Sequence, residues 1–311
     1  MILSVSRRTD IPAFYAEWFF RRMKAGYVLV RNPMNFHQVS RIPLTPDVVD
    51  GIVFWTKNPL PMMARLGELE GVPYYFQFTL NAYGRDVEPA IPSKNEVLIP
   101  AFQELSQRIG RERVRWRYDP ILLGGPYTVE YHRRCFERIA QRLYPYTDCC
   151  TISFLDEYRE TRRRLSALGG HAPSPQEMLE LAGPMAETAK RLGFSLQTCA
   201  EEMELNHLRI SHGRCIDREL LERIGGFRLN AAKDPNQRKA CGCAAAADIG
   251  AYDTCPAGCL YCYAVHAPNR IRDSRRDCVE DSALLCGSLT PEDRVTERPV
   301  CSQREDQLRL F

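Results

Sequence analysis

The stretch GIVFWTKNPLPMMARLGELEGVPYYFQFTL, residues 51–80, contains the pattern that decides the fold. Two short apolar runs in it, Gly51–Thr56 and Tyr74–Leu80, have the length and the β-branched and aromatic content of buried strands. Between them, Asn58–Leu69 has apolar residues at helical spacing. A strand, a helix and a second strand in this order predict a βαβ unit with parallel strands.

The same alternation extends to both sides of this unit. We predict seven strands, at Ile2–Ser6, Tyr27–Arg31, Gly51–Thr56, Tyr74–Leu80, Arg113–Arg117, Cys150–Phe154 and Phe194–Thr198. Amphipathic helices are predicted at Pro12–Lys24 (with Asp10 as N-cap), Asn58–Leu69, Lys94–Ile109, Val129–Leu143 and Pro175–Leu192. This order predicts an α/β fold, most simply a closed or partial β/α (TIM-like) barrel. An open doubly wound sheet is the alternative, but its glycine-rich phosphate loop is absent after the first strand.

Composition excludes several classes of protein. The chain has 311 residues, of which 44% are hydrophobic and 26% charged, as is typical of globular proteins. No apolar run approaches the roughly 18 residues of a membrane span. No apolar segment follows the twin arginine Arg7 and Arg8, so we expect no export signal and a cytoplasmic location without a membrane partner. The net charge of +3 is too small by itself to indicate a nucleic-acid partner.

The thirteen cysteines are unevenly distributed. None precedes Cys135, and eight lie between Cys241 and Cys301. An odd number of cysteines without an export signal argues against a disulfide framework and for metal or redox chemistry in a reducing compartment. We therefore predict a barrel domain over residues 1–235 and a cysteine-rich, cluster-binding extension over residues 236–311, packed over the barrel mouth.

Polar residues follow most of the predicted strands. In a β/α barrel the carboxyl ends of the strands meet at one face, where active sites lie. The candidate catalytic residues on this rim are Arg7, Asp10, Arg31, Lys57, Arg117 and Asp119. The other polar rim residues are Arg8, Asn32, Asn35, Asn58, Gln77, Thr79, Asn81, Asp156, Glu157, Glu201 and Glu202. Each one alone is explained more simply as a helix cap or a loop ion pair, but together they favour a polar substrate with a carboxylate or phosphate group.

The segment Cys255-Pro-Ala-Gly-Cys259-Leu-Tyr-Cys262 places three cysteines on one compact loop at the spacing CxxxCxxC. Three thiolates can hold three irons of a 4Fe-4S cluster and leave the fourth iron open to another ligand. Gly258 lets the loop turn tightly, and Tyr261 can pack over the cluster. The alternatives are a zinc knuckle, although zinc ribbons ordinarily use two CxxC pairs, and a chance match.

This loop resembles the signature of the radical S-adenosylmethionine superfamily, which is CxxxCxxC with an aromatic residue before the last cysteine. The whole chain also resembles DUF1848, a microbial family of unknown function. The segments that carry this likeness are SRRTDIPAFY, RNPMN, FWTKNP, YYFQFTLN, RWRYDPILL, TCAEE, CGC and DIGAYDTCPAGCLYCYA. The superfamily resemblance implies that Cys255, Cys259 and Cys262 hold a 4Fe-4S cluster whose open iron chelates S-adenosylmethionine. Reductive cleavage would then release a 5′-deoxyadenosyl radical, which implies an electron donor such as a flavodoxin or ferredoxin.

The chain departs from the superfamily pattern in two ways. The cysteine loop ordinarily follows the first barrel strand, but here it begins at residue 255, which a permutation would explain. We therefore expect the loop to fold back over the mouth of the barrel, close to Arg7, Asp10 and Lys57. There is also no GGE-like segment to hold the methionine amino group, and the candidate cofactor-binding residues are Tyr261, Asn32 and Thr79.

Four further cysteines predict a second, fully ligated site: Cys199, Cys215, Cys241 and Cys243. Either a second 4Fe-4S cluster or a structural zinc ion would suit them, and the cluster is preferred because the first site is already iron–sulfur. His212 and Cys286 are possible substitute ligands.

Three functions stay open. The first is a radical S-adenosylmethionine enzyme with an unknown polar substrate, and the second is an iron–sulfur protein for electron transfer or sensing. The third is a zinc-stabilised nucleic-acid-binding module. The basic run that could meet phosphates in that case comprises Arg270, Arg272, Arg275 and Arg276. The acidic residues interspersed with it and following it, such as Asp273 and Asp277, indicate a solvated surface instead.

Overall fold

The fold is seen in a computed structural model, which describes residues 1–156, 158–268, 271 and 278–305. The strands are β1 (Ile2–Val5), β2 (Tyr27–Asn32), β3 (Asn35–Pro43), β4 (Gly51–Thr56), β5 (Tyr74–Thr79), β6 (Val114–Ile121), β7 (Cys149–Phe154), β8 (Ser195–Thr198), β9 (Ser211–His212), β10 (Ala246–Asp248) and β11 (Arg294–Glu297). The helices are α1 (Ile11–Phe14), α2 (Ala16–Ala25), α3 (Leu60–Met63), α4 (Ile99–Ile109), α5 (Val129–Leu143), α6 (Arg159–Leu165), α7 (Pro175–Leu192) and α8 (Arg218–Gly225).

Eight of these strands form one sheet in the spatial order β10-β1-β4-β5-β6-β7-β8-β9. Every neighbouring pair in it is parallel. The predicted α/β fold with a parallel sheet is therefore confirmed. Within the described ranges, β9 and β10 are the two edges of this sheet and are not paired with each other.

The prediction that Tyr27–Arg31 belongs to the main sheet is wrong. The chain turns directly after Asn32 and returns as β3, which pairs with β2 in antiparallel register from Asn32↔Asn35 to Tyr27↔Pro43. A parallel neighbour would need a crossover of a dozen or more residues, which the short Pro33-Met34 turn does not provide. The strand β11 completes this smaller sheet by pairing with β3.

The predicted helices are largely confirmed. α5 and α7 have the predicted bounds. The Asp10 side chain accepts from Ala13 N at 3.1 Å, so it is the predicted N-cap. The helix predicted over Pro12–Lys24 is divided at Tyr15 into α1 and α2, and the one predicted over Asn58–Leu69 is reduced to α3 and a 3₁₀ turn. The prolines Pro59 and Pro61 lie at the start of α3, where the first turn of a helix tolerates proline, and nothing in the sequence explains its end at Met63.

The two faces of the main sheet are covered differently. One face packs against the helices, through side chains such as Phe54, Phe76 and Trp116. The other face, with Val53 and Tyr75, packs against residues of the segment that joins β9 to β10, among them Leu221 of α8. A Cβ atom on Gly51 would lie 2.7 Å from a methyl carbon of Leu221, so this close approach requires glycine in β4.

The predicted domain boundary stays a prediction, but the main sheet runs across it. The strand β10 lies within the predicted extension and is hydrogen bonded to β1, with Ile2 beside Ala246. The extension also contains a disulfide, Cys278–Cys286, so Cys286 is not a substitute ligand for the second cysteine site. Among the described helices, none has the combination of length and apolar content that a membrane span requires.

Candidate active site

A cavity of about 780 Å³ lies at the carboxyl ends of the main-sheet strands. Residues that follow or end β1, β4, β5, β6, β7 and β8 line it, as expected for the functional edge of a parallel sheet. The cavity brings together all six candidate catalytic residues, all three candidate cofactor-binding residues and all seven candidate metal-binding cysteines. In chain order these are Arg7, Asp10, Arg31, Asn32, Lys57, Thr79, Arg117, Asp119, Cys199, Cys215, Cys241, Cys243, Cys255, Cys259, Tyr261 and Cys262.

The cysteine triad, Cys255, Cys259 and Cys262, stands on the loop that follows β10. Cys255 and Cys259 are buried, with 8% and 6% of their surface exposed. Gly258 has a φ of +70°, and a Cβ atom there would lie 3.0 Å from Cγ of Pro89. The loop therefore needs glycine at this position, both for its backbone conformation and for its contact with the segment after β5.

Hydrogen bonds and charges surround the triad sulfurs. Burial raises the pKa of Cys255 to about 12, whereas the backbone N–H groups of Asp10 and Ala257, which donate to its sulfur, oppose the rise. Burial also raises the pKa of Cys262, against N–H donors from two following residues. N–H donors of this kind stabilise thiolates, which are the form that binds metal.

A network of hydrogen-bonded charged side chains lies beside the triad loop. Glu88, 1% exposed, accepts from Lys57 Nζ at 2.9 Å and from Lys94 Nζ at 2.7 Å. The Tyr261 hydroxyl also donates to Glu88, and Lys57 Nζ lies 5.4 Å from the centre of the Tyr261 ring. Burial raises the pKa of Glu88, but the two ammonium groups outweigh it, so the net shift is downward and the carboxylate stays charged.

Sequence reasoning missed Glu88, which binds Lys57 and the Tyr261 hydroxyl beside the triad. It lies in a loop between β5 and α4, where no periodic pattern marks it. The only signal for it is indirect, since a buried Lys57 beside cysteines demands a nearby carboxylate.

The carboxylate of Asp10 accepts several hydrogen bonds from neighbouring elements of the fold. Its carboxylate accepts from Thr56 Oγ1 and Lys57 N, both at 2.7 Å, and from the α1 backbone. Burial raises its pKa to about 6 in spite of these donors. The residue thus links the first helix, the end of β4 and the sulfur of Cys255.

Trp55 lines the cavity and lies between two arginines. The guanidinium carbons of Arg7 and Arg117 lie 5.3 and 5.2 Å from its ring centre. Arg117 is ion-paired with Asp119. Arg7 Nη2 is buried and has no hydrogen-bond partner among the described residues.

The remaining rim residues divide into two sets. Arg31 lines the cavity from the small sheet and is held by Asp293, whose Oδ2 accepts at 2.8 Å. Thr79 lines the cavity at the end of β5, and Gln77 is occupied by the carbonyl of Cys215. Residues that stand away from the cavity lining are Asn35, Asn58, Gln77, Asn81, Glu201 and Glu202. The predicted rim residue Glu157 and the basic run at Arg270, Arg272, Arg275 and Arg276 lie outside the described residues.

The four-cysteine group, Cys199, Cys215, Cys241 and Cys243, is also assembled. The sulfurs of Cys199 and Cys215 are 3.1 Å apart. Cys215, Cys241 and Cys243 belong to one buried cluster, and Cys199 packs against it. His212 is not part of the group, because its ring bonds to Glu204 at 3.0 Å.

In neither cysteine group do the sulfurs, as the side chains lie, surround a common point. As the side chains lie, no three histidine, cysteine, aspartate or glutamate side chains of the described residues are arranged to hold one metal ion.

The fold and the site together define the class of protein. It is an α/β protein in which two groups of cysteines line one cavity at the carboxyl edge of a parallel sheet. More particularly, the chain belongs to the family Domain of unknown function (DUF1848), whose model matches residues 2–264. This match ends just after the triad. No curated protein matches the chain.

Proposed function

We propose that this protein is a radical S-adenosylmethionine enzyme that acts on a polar substrate in the 780 Å³ cavity. The observation that carries the proposal is the position of β10. This strand forms an edge of the main sheet beside β1, and the triad loop follows it directly. From that edge onward, the other seven strands follow in chain order. A permutation that moved the first strand to the end of the chain would leave the cysteine loop where the superfamily has it.

The same position supports a partial barrel. A barrel needs the two edges of the sheet to approach each other. Ala244, just before β10, donates its backbone N–H to the carbonyl of Ile216, just after β9, at 3.0 Å. The segment between β9 and β10 would then fill the inside of the barrel, since it covers the face of the sheet opposite the helices.

The triad fits a 4Fe-4S cluster with one open iron. The three thiols come from one loop, line the cavity, and have N–H donors and the Lys57 ammonium beside them. When bound, such a cluster with S-adenosylmethionine supplies a carbon radical for hydrogen abstraction. Cys255, Cys259 and Cys262 would hold the cluster, while Glu88 and Tyr261 would fix the loop against the rim.

The cavity's own charges favour an anionic group on the substrate. Lys57, Arg117 and Arg31 are already paired with carboxylates. Arg8 and Arg298 also line the cavity and have no carboxylate partner in the described part of the chain. Their guanidinium groups provide sites for a carboxylate or phosphate.

Anaerobic reconstitution of the full chain tests this function. We expect about four irons and four sulfides at the triad, and formation of 5′-deoxyadenosine when the protein is reduced with S-adenosylmethionine. Cys255→Ala should abolish both, whereas Cys301→Ala, at an exposed free cysteine, should keep both. A full cluster without cleavage would leave the electron-transfer or sensing function, and zinc at the triad would refute the proposal.

A further inference from the structure

We propose that the four-cysteine group binds a single metal ion in tetrahedral coordination, with zinc as the best-matched ion, and that this ion joins the two edges of the main sheet. The site is independent of the triad and of the proposed function. The expectation from sequence favoured a second 4Fe-4S cluster here, and the compactness of the group favours one ion instead.

The first argument is convergence. Cys199 follows β8, Cys215 follows β9, and Cys241 and Cys243 precede β10. Cys215, Cys241 and Cys243 are buried, with 1%, 6% and 2% of their surface exposed. The sulfurs of Cys199 and Cys215 are 3.1 Å apart, and all four cysteines pack in one cluster.

The second argument is distance. At a Zn–S bond of about 2.3 Å, tetrahedral geometry separates the four sulfurs by about 3.8 Å. A 4Fe-4S cube would hold them much farther apart, because each sulfur binds a different corner. The Cys199–Cys215 separation of 3.1 Å and the packing of Cys241 and Cys243 in the same cluster suit one ion. As the side chains lie, the four sulfurs do not surround one point, so binding of the ion would require a change of χ1 rotamer in the group.

The third argument is charge. Four thiolates around a divalent ion carry a net charge of −2, which needs nearby cations when it is buried. Arg117 Nη1 donates to the sulfur of Cys215 at 2.7 Å. The buried Nη2 of Arg7 lacks a partner among the described residues, and Arg7 interacts electrostatically with Cys243 and Cys215. Ile216 N adds a donor to the sulfur of Cys243 at 3.4 Å.

The topology gives the ion a role. The edges β9 and β10 are not paired with each other in the described ranges, and the segment between them covers one face of the sheet. An ion held by Cys199 and Cys215 on one side and by Cys241 and Cys243 on the other would fasten that segment to the end of β8. A closed four-thiolate site has no open coordination position, so its function would be structural.

The test is metal analysis of the full-length chain in a background that removes the triad, Cys255→Ala with Cys259→Ala and Cys262→Ala. We expect about one zinc ion per chain to remain in this variant. Adding Cys243→Ser should remove it and lower the melting temperature by about 5–10 °C, whereas adding Cys135→Ser, on α5, should do neither.

Replacement of zinc by Co²⁺ keeps the proposal testable if Cys243→Ser fails to fold. The triad-free protein should bind one Co²⁺ with the visible absorption of tetrahedral thiolate coordination. About four irons with sulfide in the triad-free protein would establish a second cluster and overturn the proposal. A metal-free protein with four titratable thiols, or with a Cys199–Cys215 disulfide, would also overturn it.

Discussion

The triad and the four-cysteine group line the same cavity, but the chain assembles them in different ways. The triad comes from eight consecutive residues of one loop, whereas the four-cysteine group comes from the ends of separate strands. The triad has charged side chains and N–H donors around it, and three thiols leave one iron of a cluster open. The four-cysteine group offers four thiols packed in one cluster, which suits a metal site whose four coordination positions are all filled by thiolates. In the proposals made above, the number of thiols and their spacing distinguish the reactive centre at the triad from the structural site at the four-cysteine group.

The largest expected effect is on the triad loop. Gly258→Val places a β-branched residue at a φ of +70° and pushes its Cβ against Pro89, so we expect nearly all triad iron to be lost. The four-cysteine group should keep its single ion. Iron and zinc per chain, measured after reconstitution, report both sites.

Gly71→Val is the matched control for that change. Gly71 has a φ of +84° but no atom within 4 Å of its Cβ position, so it carries the backbone strain without the contact. Retention of triad iron in Gly258→Val would show that the loop conformation does not hold the cluster.

Glu88→Gln tests the support beneath the triad. The change leaves the partly buried Lys57 and Lys94 ammonium groups without their buried carboxylate, and we expect a loss of about 3 kcal/mol in the free energy of unfolding. Denaturant unfolding of the metal-free protein measures it. Glu96→Gln, at an exposed position near the same loop, should change stability by less than about 0.5 kcal/mol. Equal effects of the two variants would contradict the assigned role of Glu88.

The pH dependence of stability that comes from the fold itself must be separated from any that comes from the two cysteine groups. His132 is buried; burial lowers its pKa to about 4, and its ring bonds to Leu122 O and the Tyr118 hydroxyl. Because the folded pKa lies below the unfolded value of 6.5, stability present above pH 6.5 is lost as the pH falls towards 4, by up to about 3 kcal/mol.

His132→Phe should flatten this part of the pH dependence in the metal-free protein, although it also removes two hydrogen bonds. His171→Gln, at an exposed position, should leave the slope unchanged. Unfolding free energies measured between pH 4 and 7 test this prediction. An unchanged slope in His132→Phe would show that His132 does not cause the loss of stability in acid.

The smallest expected effect concerns the potential of the triad cluster. The Lys57 ammonium is buried beside Cys259 and stays charged, because the Glu88 carboxylate offsets the effect of burial on its pKa. A nearby positive charge favours the reduced, more negative cluster. Lys57→Met should therefore lower the reduction potential by on the order of 100 mV, and Lys57→Arg should preserve it. A redox titration followed by electron paramagnetic resonance measures both, and equal shifts would contradict the charge argument.

Local patterns in the sequence predicted much of the fold and part of the site. The strands β4 and β5 follow from continuous apolar runs, because both of their faces are buried. The helices α5 and α7 follow from apolar residues at helical spacing, because each buries one face. The triad follows from spacing, because its three thiols share one loop.

The rest depends on contacts between distant residues. β10 is only three residues long and rich in alanine, so its place beside β1 comes from packing and not from propensity. β2 has the composition of a main-sheet strand, and only the tight turn before β3 assigns it to the small sheet. The contact between the sulfurs of Cys199 and Cys215 likewise arises from the pairing of β8 with β9.

The most direct test of the central claim is the yield of 5′-deoxyadenosine per reconstituted chain after chemical reduction with S-adenosylmethionine. The account predicts that the wild-type chain forms it and that the triad-free variant does not, even though that variant keeps the ion of the four-cysteine group. Absence of 5′-deoxyadenosine from a wild-type chain with about four irons at the triad would contradict the account.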